Sequence, residues 1–396
     1  MKQKAFLLCL IIAIALLSQS TAVSPLLGQQ EKVDLEEQMR ALGDEDVLTR
    51  SAAIAAIGNL GPEAQAAIPE LIIVLKTGSP FLQGNVVEAL GKIGAPAVSA
   101  LIPLLKDEKE DVRKYAAMAL GRIGPGAIGS VPALTEALKD KSARVRQVAA
   151  EALGFIGTGA GAAVPGLLEC LKDEDEKVRI YAVEALGGIG PEAAAAVRPL
   201  MEVFQEKDTW SLQGRKNAVI ALGKIGPAAA EAIPTLIQAL KEETASGWTT
   251  FVFRKYAARS LKQIGPASLP ALQDTLKGND KELQQTIILK IYGKLGIEAV
   301  PFLINALQDE REAISEYAAL ALGKIGGEAG DAVPRLLVTL KSRGTNTRVA
   351  AAIALGEIGP VTGDVIPGLT EALNDDNWAV HQAAEKALES IQAEEE

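Results

Sequence analysis

Ala119-Leu120-Gly121-Arg122-Ile123-Gly124-Pro125 returns along this chain as Ala152-Leu153-Gly154-Phe155-Ile156-Gly157 and as Ala221-Leu222-Gly223-Lys224-Ile225-Gly226-Pro227. With the first glycine of each copy as anchor, positions 58, 91, 121, 154, 187, 223, 262 (Lys), 293, 323, 356 and 389 (Glu) mark eleven units. Successive spacings are 33, 30, 33, 33, 36, 39, 31, 30, 33 and 33, so a period near 33 occupies almost all of the 396 residues. Self-similarity at such a period marks a stacked array, because one unit cannot bury its apolar face alone.

Each unit reads as two helices. Val145, Val148, Ala149, Ala152, Leu153 and Ile156 recur at i, i+3, i+4, i+7, i+8 and i+11, one stripe of a helix, and Val164, Leu167, Leu168 and Leu171 form a shorter second stripe. Twelve residues before the anchor stand Asp46, Ser79, Ser142, Asp175, Ser211, Thr250 and Asn377, side chains suited to capping a helix N-terminus. Three residues after the anchor a glycine recurs (Gly61, Gly94, Gly124, Gly157, Gly190, Gly226, Gly265, Gly296, Gly326, Gly359), able to take the positive φ that ends the first helix. Prolines such as Pro132, Pro165 and Pro234 open the second helix. The anchor glycine lies inside the first helix, where it costs about 1 kcal/mol relative to Ala. Its recurrence points to close approach of a neighbouring helix.

Composition removes several classes of chemistry. Fifty acidic against 40 basic residues give a net charge of −10. An acidic chain is poorly suited to binding nucleic acid without regard to sequence, which needs a Lys/Arg excess. One His and two Cys leave neither a multi-histidine metal site nor a disulfide framework, so no cofactor or metal is expected. No Walker A, Gly-x-Ser-x-Gly or Cys-x-x-Cys motif is present, and the acidic runs at 107–111 and 173–176 lack the spacing of a calcium loop.

At the N-terminus, Lys2 and Lys4 precede an apolar run from Ala5 to Leu17, followed by Ser20-Thr21-Ala22. Thirteen apolar residues are short of the roughly 20 that span a bilayer and fit the core of a secretory signal with small residues at its cleavage site. Residues 1–22 are expected to be a signal peptide, with an uncleaved anchor as the alternative, residues 23–33 a linker and residues 34–396 the repeat array. The mature chain is then exported, to a periplasm, a lumen or the cell exterior, without a stable membrane span.

The Asp turn, Val-Arg pair, Ala-Leu-Gly-x-Ile-Gly and Pro-Leu helix seen in Asp107, Val112-Arg113, Ala119 to Gly124 and Pro132 to Leu134 resemble the HEAT-repeat family, especially the short repeats of phycobilin lyase subunits. The resemblance implies an all-α, right-handed solenoid of about eleven helix pairs, an armadillo-like superhelix. It further implies that Arg50, Arg113, Arg146, Arg179, Arg215, Arg254 and Arg348, eight residues before the anchor, pair with turn aspartates such as Asp44, Asp107, Asp140 and Asp173 and do not form an anion groove. His381 stands in that column in the last unit and reads as a degenerate member of a capping repeat. Cys170 reads as a small buried hydrophobe, and Tyr115, Tyr181, Tyr256 and Tyr317 share a packing column.

The expected function is that of a non-enzymatic scaffold binding partner proteins along its concave face, which the second helices would line. The alternative, by resemblance alone, is a bilin lyase or chaperone-like subunit, against which the export signal stands. A deoxyhypusine-hydroxylase-like activity needs His-Glu pairs, and the one His is followed by Gln382. The repeat stretches at 205–212 and 242–253, and these segments hold Trp210, Trp248, Phe251 and Phe253. These four are the candidate partner-binding residues, on a surface patch shared by Trp210 and Trp248; the alternative is that the rings tuck against the stack. Because Lys262, Gln285 and Lys281 replace the anchor, column and cap residues, units between 243 and 300 are expected to be the weakest, with first proteolytic cleavage in 242–253.

Overall fold

The structure, a computed structural model, describes residues 34–242 and 247–395. The expected signal peptide and linker lie outside the described residues. The described chain is an all-α solenoid of helix pairs. Unit 4 shows why. Ala143–Ile156 buries Val145, Ala149, Ala152, Leu153 and Ile156, and Gly157 turns the chain with φ 72° and ψ −137°. A short 3-10 turn leads to the second helix, Val164–Cys170, with Pro165 in its first turn and Val164, Leu167 and Cys170 buried. All ten expected turn glycines have positive φ, from 59° to 91°, a conformation that penalises every residue with a Cβ.

The pairs close when each is read as a short helix followed by a long one. Leu35–Ala41 precedes the first long helix, Val47–Asn59, and Val365–Ala372 precedes the last, Trp378–Glu395. Asp46 and Asp175 accept hydrogen bonds from first-turn backbone N–H groups, and Asn377 accepts one from Ala379 N at 3.0 Å. Ser79 and Ser142 hold the cap position without a side-chain bond. Thr250 is not a cap: the helix of unit 7 starts earlier, as Gly247–Ile264, and contains it.

Anchor glycines mark where successive long helices touch. A Cβ on Gly154 would stand 2.9 Å from Ala185 Cα, and one on Gly187 2.9 Å from Ala221 Cα. Long helices thus pack backbone to backbone from unit to unit, whereas successive short helices make sparse contact. A stack whose one layer is more tightly spaced curves towards that layer. The long first helices therefore form the inner face, which corrects the expectation that the second helices line it.

Unit 8 is not the broken unit that its sequence suggests. Asp280 caps it, accepting from Leu283 N at 2.9 Å, so Lys281 is the first helical residue and no cap is lost. Gln284, not Gln285, takes the column position, its Nε2 donating to the carbonyls of Leu276 and Gly278. From cap to anchor this helix has one residue more than Asp175 to Gly187, and the surplus is absorbed by π-helical winding over Thr286–Tyr292. Of the expected cleavage region, residues 243–246 lie outside the described residues, Glu242 is buried and 247–253 is helical.

Candidate partner-binding face

The arginine column is a structural ladder. Arg113 forks onto Asp140, with Nε and Nη2 donating at 2.7 and 3.0 Å. Arg146 does the same to Asp173 at 2.8 and 2.8 Å, and Arg348 to Asp375 at 2.7 and 2.9 Å. The Nη1 of each also donates to a carbonyl six residues back, so one side chain ties the turn before its own helix to the turn of the next unit. Glu242 serves Arg215 and Asp280 serves Arg254. Gln83 and Ser315 fill the column where arginine is absent, donating to the carbonyls of Leu75 and Leu307. Among the described residues neither the Asp44 nor the Asp107 carboxylate pairs with an arginine: Asp44 accepts from Asp46 N, and Asp107 meets Lys76 at 3.3 Å.

Arginine hydrogen bonding holds the Asp375 carboxyl below its ordinary range against the opposing effect of burial. At Asp140 burial pushes the other way and is outweighed by hydrogen bonds from Arg113 and Ser142. Such carboxylates stabilise the fold above their unfolded pKa of about 3.9, and that stability disappears as pH falls through the depressed folded values. Urea midpoints are therefore expected to be flat from pH 8 to about pH 5 and to fall steeply below about pH 4; an unchanged midpoint at pH 3 would remove the ladder as a source of stability.

The four candidate aromatics separate into two pairs of different character. Trp210 is 6% exposed: its ring packs on Gly214 and lies 5.6 Å from the Arg179 guanidinium. It stands by an arginine that has no turn aspartate, since Glu206 occupies the place 27 residues on. Phe253 is fully buried, edge-on to Phe204 at 5.6 Å. Burial takes both off the surface and corrects the expectation of a patch shared by Trp210 and Trp248. Trp248 and Phe251 are 70% and 47% exposed and stack on each other at 5.9 Å.

His381 occupies the column position, stacked 5.9 Å from the exposed Trp378. Cys170 is buried, and burial pushes its thiol up to about 11. Native protein is thus expected to leave Cys170 unlabelled by a thiol reagent at pH 8 and to react only in denaturant; rapid native labelling would contradict its burial.

Sequence reasoning missed the exposed rows of the inner face. Phe155 is 58% exposed beside Glu151 and Glu184, and burial, with Glu184 nearby, raises the Glu151 pKa. Further along, Lys224, Lys255, Arg259, Lys262, Lys290 and Lys294 are exposed, and among the described residues none lies in an ion pair. An acidic stretch with an exposed Phe thus adjoins a basic one with an exposed Trp–Phe pair. The signal was present in the positions three before and one after each anchor, once the long helices are known to face inward. A cleft of about 820 Å³ lies instead on the short-helix side by Arg348, where Asp375 and Glu371 are already paired.

A family model of HEAT repeats matches residues 35–105, 98–173, 164–250 and 300–389. No curated protein matches the chain in sequence. Among solved structures, Kap121p is similar over 90% of this chain and 45% of its own, with 14% identity and a TM-score of 0.55. The karyopherin Kap121p bound to the extreme C-terminus of the protein phosphatase Cdc14p gives 15% identity over 90% of this chain and 45% of that one, with a TM-score of 0.55. Importin beta covers 91% of this chain and 58% of its own at 15% identity and a TM-score of 0.53. The chain spans about half the length of these structures, and at such identities the likeness is one of fold.

Proposed function

Because the chain belongs to the HEAT-repeat family, we propose that it is an exported, non-catalytic scaffold that holds partner proteins along the inner face of its long helices. The observation that carries this reading is the exposed charge in the middle of that face, beside exposed Phe155, Trp248 and Phe251. It is acidic at Glu184 and basic at Lys255, Arg259, Lys262, Lys290 and Lys294, these five without an ion pair among the described residues. Aromatic anchors within a charged surround are the usual carriers of protein–protein affinity and specificity. A structural relative bound to the C-terminus of a phosphatase supports the same use of the fold. Export rests on the basic and apolar segment before Ala22.

Two measurements test the proposal. Purified full chain carrying Phe155→Ser, Trp248→Ser and Phe251→Ser, none of them buried, should keep its helical signal and lose the proteins that the native chain captures from the envelope fraction. Unchanged capture would overturn the inner-face assignment. N-terminal sequencing of the native protein should begin at Val23; a start at Met1 would leave the signal uncleaved.

A further inference from the structure

Three departures from the repeat converge on one place. The anchor glycine of unit 7 is replaced by Lys262, its long helix is extended to carry Trp248 and Phe251, and the next long helix is wound as a π-helix over Thr286–Tyr292. Between these two helices lies an open cleft of about 390 Å³. Phe251, Lys255, Arg259 and Lys262 follow one another at helical spacing along one wall, and Thr286 and Lys290 of the π-helix form the other. The carboxylate in the lining, Glu282, is already paired with Arg254 at 2.9 Å, so four exposed cations face the cleft without a carboxylate partner among the described residues, Lys255 lying 5.6 Å from the Tyr256 ring.

Concentrated positive charge in a chain of net charge −10 is costly self-repulsion unless something neutralises it. The short-helix side of the molecule treats its lysines differently: Lys106, Lys139 and Lys341 each meet a glutamate of the next unit, Glu136, Glu169 and Glu371. The cleft cations have no such partner. A π-turn costs hydrogen-bond geometry, and here it contains Lys290, which lines the cleft with Arg259 and Lys262.

We propose that this cleft binds an acidic, extended segment of a partner protein, its carboxylates meeting Lys255, Arg259, Lys262 and Lys290 and an apolar side chain packing on the Trp248–Phe251 stack. The inference deepens the scaffold reading and rests on it for the biological source of the segment; the binding itself is testable alone. A protein segment is favoured over nucleic acid because the chain is acidic overall and the surface on the N-terminal side of the cluster turns acidic at Glu184 and Glu151, which would repel a continuing phosphate backbone.

The test uses the full chain and a short fluorescein-labelled peptide rich in Asp and Glu around a Phe-Leu pair, followed by anisotropy. Saturable binding that weakens with added salt is expected. The triple variant Lys255→Glu, Arg259→Glu, Lys290→Glu should weaken it about tenfold or more. A control with the same charge change on the opposite side, Lys106→Glu, Lys139→Glu, Lys341→Glu, should retain it, and circular dichroism checks that both stay helical. Absence of binding, or equal binding by the cleft variant, overturns the proposal. So does tighter binding of a single-stranded oligonucleotide of equal charge. If the cleft variant still captures the native partners while the peptide does not bind, this site is refuted and the inner-face scaffold stands.

Discussion

Arg113→Ala is expected to lower the stability of its part of the array by about 3–5 kcal/mol. The Arg113 and Asp140 side chains are 6% and 10% exposed, so truncation strands a carboxylate away from water. Only the Ser142 N–H remains to Asp140, and the carbonyls of Asp107 and Glu108 lose their donor as well. Since each unit touches mainly its neighbours, the loss should appear as a separate early transition confined to units 2 to 4 and not as a uniform shift. Urea unfolding followed by circular dichroism, with hydrogen exchange to locate the opened units, measures it. Pairing Arg113→Met with Asp140→Leu should recover much of the loss, because replacing both charges removes the stranded group. An unchanged midpoint in the single variant would show that the fork contributes nothing.

Phe253→Ala is expected to cost about 3–5 kcal/mol, and Trp248→Ala within about 0.5 kcal/mol of nothing. The difference follows from position, not residue type. Phe253 has no exposed surface, meets Phe204 edge-on and lies 4.9 Å from the Arg215 guanidinium, which also covers Phe204 at 4.8 Å. Its removal opens a cavity under the Arg215–Glu242 pair. Trp248 rests on Phe251 and otherwise faces solvent. Thermal melts of the two variants, run beside the partner-capture assay, should give opposite patterns: a stability defect for Phe253, a capture defect for Trp248. Equal stability loss in both would mean that the Trp248–Phe251 stack is part of the core.

The fold was legible because its signals are local and repeated. The turn glycines, the 3.6-residue stripes and the arginine column each recur in register, and each has one physical reading. The anchor glycines even carried the curvature: a small residue in a helix interior brings a neighbouring backbone close, and the closer layer is the inner one. Curvature belongs to the stack, so no single unit marks Phe155, Glu184, Lys255 and Arg259 as exposed rows of the inner face. Unit 8 misled because a surplus residue was counted as lost cap and column residues, whereas Asp280 and Gln284 fill both places one step earlier. Trp210 misled because an aromatic in an insertion looks like an anchor, while the neighbouring Arg179 lacks its aspartate and takes the ring as cover. Interactions between units decide such cases, and no single unit contains them.

Photo-crosslinking from single positions on the two layers tests the central claim most directly. A photoreactive residue at Phe155, Glu184 or Lys255, on the inner face of the long helices, is expected to trap the same partner proteins in the native envelope fraction. Probes at Ile73 and Val338, both 60% exposed on the short helices, should trap none. Crosslinks from Ile73 and Val338 with none from the inner face would contradict the assignment of that face as the binding surface.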